Sequence, residues 1–332
     1  MPDTEPDFCL STSRTRIREI RPDDAAVMSA WIARELPVGE TLARALPDVL
    51  RRLLQAGVLR GGAIERAAAG SWSTRLVGFG LSGFLANAFA EAYIGRPFAH
   101  LELTLLDAAR RGAASPALLG PDAIAAANRE GGMTLLPLLW LQTPDTPGDP
   151  QARELLDISH HIFLRQHRGY RLAHILKEAP LERAQSFLRG GFKDCGRIPA
   201  GTRLGFCDRV STREHVVFVA SRPDFETEWP GALLDSLFIY NPPLCAFSPA
   251  ECEVLARAEG GMTDAEIAAD LQITPDAVAK RWRSIYARVA RHAPYVLRAD
   301  AAAATRGTEK RRHVAAFVRE HPEELRPYRW QA

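Results

Sequence analysis

Cysteine, net charge and long apolar runs are all scarce in this chain, and each shortage removes a class of protein. Its five cysteines, Cys9, Cys195, Cys207, Cys245 and Cys252, make no C-x-x-C pair and no even framework. A disulfide scaffold and a cysteine-built zinc centre are therefore not expected, and the thiols read as reduced in a cytoplasmic protein. The opening MPDTEPDFCLSTSR lacks the apolar core of a signal peptide. No apolar run approaches the roughly eighteen residues that a membrane span needs, so no membrane partner is expected. Internal repeats are absent. Lys and Arg number 42 against 40 Asp and Glu, a net charge of +2, so bulk attraction to a polyanion decides nothing. Residues 247–332 hold 14 basic and 12 acidic side chains, so any nucleic-acid reading rests on placement rather than excess.

What is present is ordinary globular material, 46% hydrophobic and 25% charged over 332 residues, enough for two domains. The most informative stretch is Phe247 to Val289. Ser248-Pro249-Ala250-Glu251 is a capping box with proline in the first turn, and Thr263-Asp264-Ala265-Glu266 repeats the box. Thr274-Pro275 opens a third helix, after a connection of only a few residues. In that helix Val278, Trp282, Ile285 and Val289 fall on one buried stripe. Lys280, Arg281, Ser284 and Arg288 lie on another side, with Arg283 beside them. A cationic rod of this length suits a groove lined by phosphates, and arginine can also fork onto guanine edges.

This stretch resembles the LuxR-type (GerE-like) helix-turn-helix domain. The likeness rests on Phe247-Ser248-Pro249-Ala250-Glu251 with Val254-Leu255, Glu266-Ile267-Ala268, Ile273-Thr274, Val278, Ile285-Tyr286 and Arg288-Val289. Two positions depart from the pattern, Ala277 where threonine is usual and Ala279 where lysine or another polar residue is usual. The resemblance implies double-stranded DNA as partner, with Thr274, Lys280, Arg281, Arg283, Ser284 and Arg288 as the DNA-binding set. It also implies a homodimer through a last helix, Glu309 to about His321, by way of Val314, Phe317 and Val318. Packing of that helix onto its own domain is the other reading.

The first two-thirds reads as strands and helices mixed. Strands are expected at 16–20, Leu76–Leu85 (interrupted by glycines), Phe98–Leu106, Thr134–Gln142 with a bulge at Pro137, Arg171–Glu178, Phe192–Arg197, Leu204–Cys207 and Val216–Ala220. Helices are expected at 25–36, 41–56, Pro121–Arg129, Gln151–Arg168 and Leu181–Arg189. His160-His161 invites a metal, but neighbours on a helix point about 100° apart, so no metal is expected there. His215 reads as a strand edge beside Arg213 and Glu214. Trp72, Phe79, Phe84, Phe89 and Tyr93 either line a ligand pocket or fill the core.

RTRIREIRPDDAAVMSAW resembles the opening of a GNAT acyltransferase fold, and Leu181-Glu182-Arg183-Ala184 through Gly191-Phe192-Lys193 resembles its late helix and strand. That resemblance implies acyl-coenzyme A held at the helix start after the central strand, by a Gln/Arg-x-x-Gly-x-Gly/Ala motif. Thr143–Arg153 offers three prolines, one glycine and two aspartates instead. Prolines lack the amide and carboxylates repel phosphate. Gln166–Arg171 looks like the motif but sits at the wrong end of the helix.

The expectation is an α+β chain, a mixed GNAT-like sheet with flanking helices followed by an all-α helix-turn-helix unit. Its boundaries are a flexible 1–13, a sensor domain 14–225, a linker 226–246, the DNA-binding unit 247–292 and an extension 293–332. As a function this means a transcriptional regulator without enzymatic activity and without cofactor, with a small-molecule ligand open to its N-terminal domain. The alternative is an active acyl-CoA-dependent N-acyltransferase fused to a DNA-binding domain.

Overall fold

The computed structural model describes residues 15–67, 74–112, 117–146, 148–298 and 307–328. The readings made for 1–13, Trp72 and Pro147 lie outside the described residues. β1 (Thr15–Glu19) leads into α1 (Ala25–Glu35) and α2 (Glu40–Gln55), followed by β2 (Leu59–Ala67) and β3 (Thr74–Leu85). Next come α3 (Asn87–Gly95), α4 (Leu101–Arg110), α5 (Pro121–Arg129), β4 (Met133–Gln142), α6 (Pro150–His167) and β5 (Leu172–Pro180). α7 (Ala184–Arg189), β6 (Lys193–Ile198), β7 (His215–Ser221), α8 (Arg222–Thr227) and α9 (Asp235–Phe238) follow. The chain then turns wholly helical: α10 (Pro249–Glu259), α11 (Asp264–Asp270), α12 (Pro275–His292), α13 (Tyr295–Arg298) and α14 (Gly307–Glu320).

The seven strands form one mixed sheet in the order β1-β2-β3-β4-β5-β7-β6. Alternation along β7 shows why both faces are covered. Val217 and Val219 face the core built with α1, α2, α3 and α4, while Val216, Phe218 and Ala220 face α7, α8 and α9. α6 lies on the second face over β2 and β3, where Ile162 and Leu155 meet Ile64 and Val77. Gly62 lets that helix come close, since a Cβ there would collide with Ile162.

The helical unit has its own core of Val254, Leu255, Ile267, Val278, Trp282, Ile285 and Val289. Both capping boxes form, and Thr274 accepts from the Ala277 amide at 3.2 Å. The unit is compatible with the helix-turn-helix expected of it. It meets the sheet domain through Arg21–Asp270 at 2.6 Å, and through Arg326, which donates to the Arg168 and Arg165 carbonyls at 2.8 and 2.9 Å.

Several expectations need correction. Phe98–Leu106 is not a strand but contains the start of α4. Leu101, Leu103 and Leu105 alternate as a strand would, yet the Glu178 carboxylate of β5 accepts the His100 and Leu101 amides and starts a helix. Leu204–Cys207 is a loop with one isolated bridge, Arg203 to Val210. β2 and α3 were not anticipated. Residues 226–246 are no free linker, because Leu237, Phe238 and Cys245 are buried. Phe79, Phe84 and Tyr93 are buried core residues rather than pocket lining. Val314, Phe317 and Val318 are buried against α10 and α13 in the unit's own core, so they are not the dimer surface expected of them.

Candidate functional site

The sheet has one parallel junction, and it is incomplete. β4 and β5 pair only at Met133–Leu172, Thr134–His174 and Leu135–Ile175, after which they part. On its other side β4 stays paired with β3 as far as Gln142, across a shift in register between Leu81 and Ser82. That shift is the bulge that Pro137, which has no amide to give, suggests in the sequence. The Lys177 ammonium fills the opening and donates to the Pro137 and Leu138 carbonyls at 3.0 and 2.9 Å. Burial lowers the Lys177 pKa, opposed by the Glu102 and Glu178 charges.

The next residue of β5 centres a polar cluster. Glu178 accepts from Tyr93 Oη at 3.0 Å, from the His100 and Leu101 amides at 2.8 and 2.9 Å, and from His215 Nδ1 at 2.6 Å. His100 holds a left-handed backbone, φ 57° and ψ 60°, which turns two successive amides toward one carboxylate. Burial works against the charged form of Glu178, but the His215 hydrogen bond and the two amides outweigh it, and its pKa is lowered. For His100, burial is the largest single influence, but the Glu102 hydrogen bond at 3.2 Å and the Glu102 and Glu178 charges together outweigh it, so its pKa is raised. The two imidazole rings stand 4.7 Å apart, centre to centre. Imidazoles held by carboxylates at Nδ1 present Nε2, a geometry suited to proton transfer or to a cation. No spacing in the sequence links residues 93, 100, 178 and 215. A second, open concavity of about 700 Å³ lies between Gly39–Thr41 and the loop Arg203–Arg209.

The start of α6 does not fit a pyrophosphate. Asp149 already caps it, accepting the Gln151 amide at 2.7 Å, and Pro150 has no amide to give. Among the described residues, no helix is long and apolar enough to cross a membrane.

On the helical unit the structure divides the expected DNA-binding residues. Lys280, Arg283 and Ser284 are exposed on α12, and Thr274 caps it. Arg281 leans on Glu253 at 3.7 Å. Arg288 turns inward, pairing with the buried Glu251 at 3.0 Å and donating to the Ala246 carbonyl at 2.9 Å. Its assignment to DNA is therefore corrected, since both interactions tie it to the unit itself. His160 and His161 are both exposed on α6.

No family model and no curated protein matches the sequence. Solved structures do match over the sheet domain. Arabidopsis thaliana NAA60 in complex with acetyl-CoA is 10% identical, covering 63% of this chain and 98% of that one, with a TM-score of 0.38. Spermidine N-acetyltransferase from Vibrio cholerae is 10% identical, covering 64% and 96%, with a TM-score of 0.35. The expectation of a chain without enzymatic activity is withdrawn on this finding, since one of the matched structures is a spermidine N-acetyltransferase and the other is a complex with acetyl-CoA.

Proposed function

We propose that the sheet domain is an N-acyltransferase joined to a DNA-binding helical unit, so that acyl transfer takes place at or near DNA. The observation that carries the reading is the parting of β4 from β5 beyond Leu135 and Ile175. A strand parted from its neighbour inside a sheet can pair with an extended, amide-bearing donor. Here the Pro137 and Leu138 carbonyls become such a ladder once the Lys177 ammonium withdraws. Glu178 and its cluster follow Lys177 directly along β5. Because the start of α6 is capped from within, the donor is gripped by the strand rather than by its phosphates.

The test is a pair of melts, with acetyl-coenzyme A and with S-acetylpantetheine, which lacks the pyrophosphate. Both raise the melting temperature on this reading, since a ligand of the native state at about 100 times its Kd adds about 2.7 kcal/mol. No shift with either at millimolar concentration, together with no acyl transfer to amines, sinks it. For the helical unit, the exposed charges of Lys280 and Arg283 support DNA as partner. Replacing each by alanine lowers affinity and flattens the salt dependence by about one unit per lost phosphate contact.

A further inference from the structure

Among the described residues, His100, Glu178 and His215 each offer a ligand atom, and these atoms lie within 4.8 Å of one another. All three residues are buried. Two further observations distinguish the group from a chance meeting of polar side chains. The first is tautomeric. His100 Nδ1 faces Glu102 Oε1, a carboxylate outside the group, at 3.2 Å, whereas His215 meets Glu178 itself through Nδ1 at 2.6 Å. A ring that donates from Nδ1 to a carboxylate keeps its lone pair on Nε2 and gains basicity, the outer-shell arrangement that prepares histidine for a metal. The second is charge. The Glu178 and Glu102 side chains are 2% and 12% exposed, and among the described residues their ion-pair partners are these two imidazoles. Enclosed carboxylates favour a cation held directly against them, and the Lys177 ammonium, which acts on both charges, donates instead to the Pro137 and Leu138 carbonyls.

We propose that His100, His215 and Glu178 bind a divalent cation of the zinc class, with Glu102 steadying His100 from behind. Two imidazoles and a carboxylate select borderline cations over magnesium or calcium, which prefer oxygen alone. Zinc sits about 2.0–2.2 Å from each donor, so it would take the place of the proton between His215 Nδ1 and Glu178 Oε1, which open from 2.6 Å to about 3.3 Å as His100 closes on them. Glu178 exchanges one of its four hydrogen bonds for the metal, which makes the imidazoles the stronger ligands. Three protein donors leave a fourth position open, as in zinc sites that bind a reactant rather than closed structural ones. The site stands independently of acyl transfer.

The experiment strips the full chain with a chelator and titrates it with Co²⁺. One equivalent gives the visible spectrum of four- or five-coordinate cobalt, and Zn²⁺ displaces it. His100→Ala and His215→Gln each weaken binding at least tenfold, in proteins whose melting temperatures show them folded. Glu102→Gln, which touches only the ligand, weakens it about 10–100-fold. A double replacement of the exposed pair, H160A with H161A, leaves the spectrum intact. Absence of a stoichiometric spectrum overturns the proposal, as does a spectrum that survives the His100 and His215 variants.

Discussion

Arg288 and Lys280 stand on the same helix and carry the same charge, yet their surroundings give them different work. Glu251 is 3% exposed and is held by Ser248 and by Arg288, so losing the guanidinium strands a carboxylate in the core of the helical unit. Arg288→Ala is therefore expected to cost about 2–3 kcal/mol in chemical denaturation. The pair K280A and R283A, both exposed, stays within about 0.5 kcal/mol of the parent. A loss of DNA affinity in the second variant without a loss of stability separates contact from scaffolding. His167 offers a test by pH. Burial, helped by the Arg60 and Arg326 charges, drives its pKa down to about 3, while Ser82 Oγ lies 2.6 Å from Nε2. The unfolded chain holds this proton near 6.5, so the stability is full above that value and is lost as pH falls from it toward 3. Moving from pH 7 to pH 5 costs about 2 kcal/mol at this residue, and His167→Asn, which cannot titrate, removes that part of the slope in urea midpoints.

At the scale of the element, what is legible depends on how far the stabilising group lies along the chain. The helices α10, α11 and α12 begin where Ser248, Thr263 and Thr274 say they should, because each cap is closed by an amide three residues away. Thr263→Ala is expected to cost about 1 kcal/mol, read from the thermal midpoint. The glycine-broken run of β3 and the proline of β4 were equally readable, since a bulge is signalled by the residues that make it. α4 was not readable. Its first two amides are satisfied by a carboxylate 78 and 77 positions away, and the leucines alone favour a strand. Glu178→Ala leaves those two amides without their acceptor and takes one from Tyr93, whose hydroxyl keeps the Phe98 carbonyl at 3.2 Å, so a loss of about 2–4 kcal/mol is expected. Hydrogen exchange should show it first in the opening turn of α4.

For the whole molecule, the question is how the helical unit is seated on the sheet domain. Besides the Arg21–Asp270 pair, the contact is made by the end of α6 with α10 and the segment after α14. Arg326 lies over the Tyr170 ring, 4.8 Å from its centre, and Arg60 lies over the same ring at 5.1 Å. Gly169, at φ 80°, allows the close approach, because a Cβ there would collide with the backbone of Pro322 and Glu323. Gly169→Ala is expected to cost about 1–3 kcal/mol and to open residues 322–328 to protease, while the exposed face of α12 keeps its DNA affinity. A variant that cleaves no faster than the parent would show that the seat does not depend on this approach.

By itself the sequence determined the short-range features: three capped helices, a basic exposed rod over a buried stripe, a bulged central strand and an α6 start unsuited to phosphate. Each is decided by side chains within about four positions of the backbone groups they serve. Tertiary structure alone decided which arginine turns inward, where β4 and β5 part, and how Tyr93, His100, Glu178 and His215 meet. Those groups belong to two helices' ends and two strands, and only closure of the sheet brings a buried carboxylate to the donors that keep it charged.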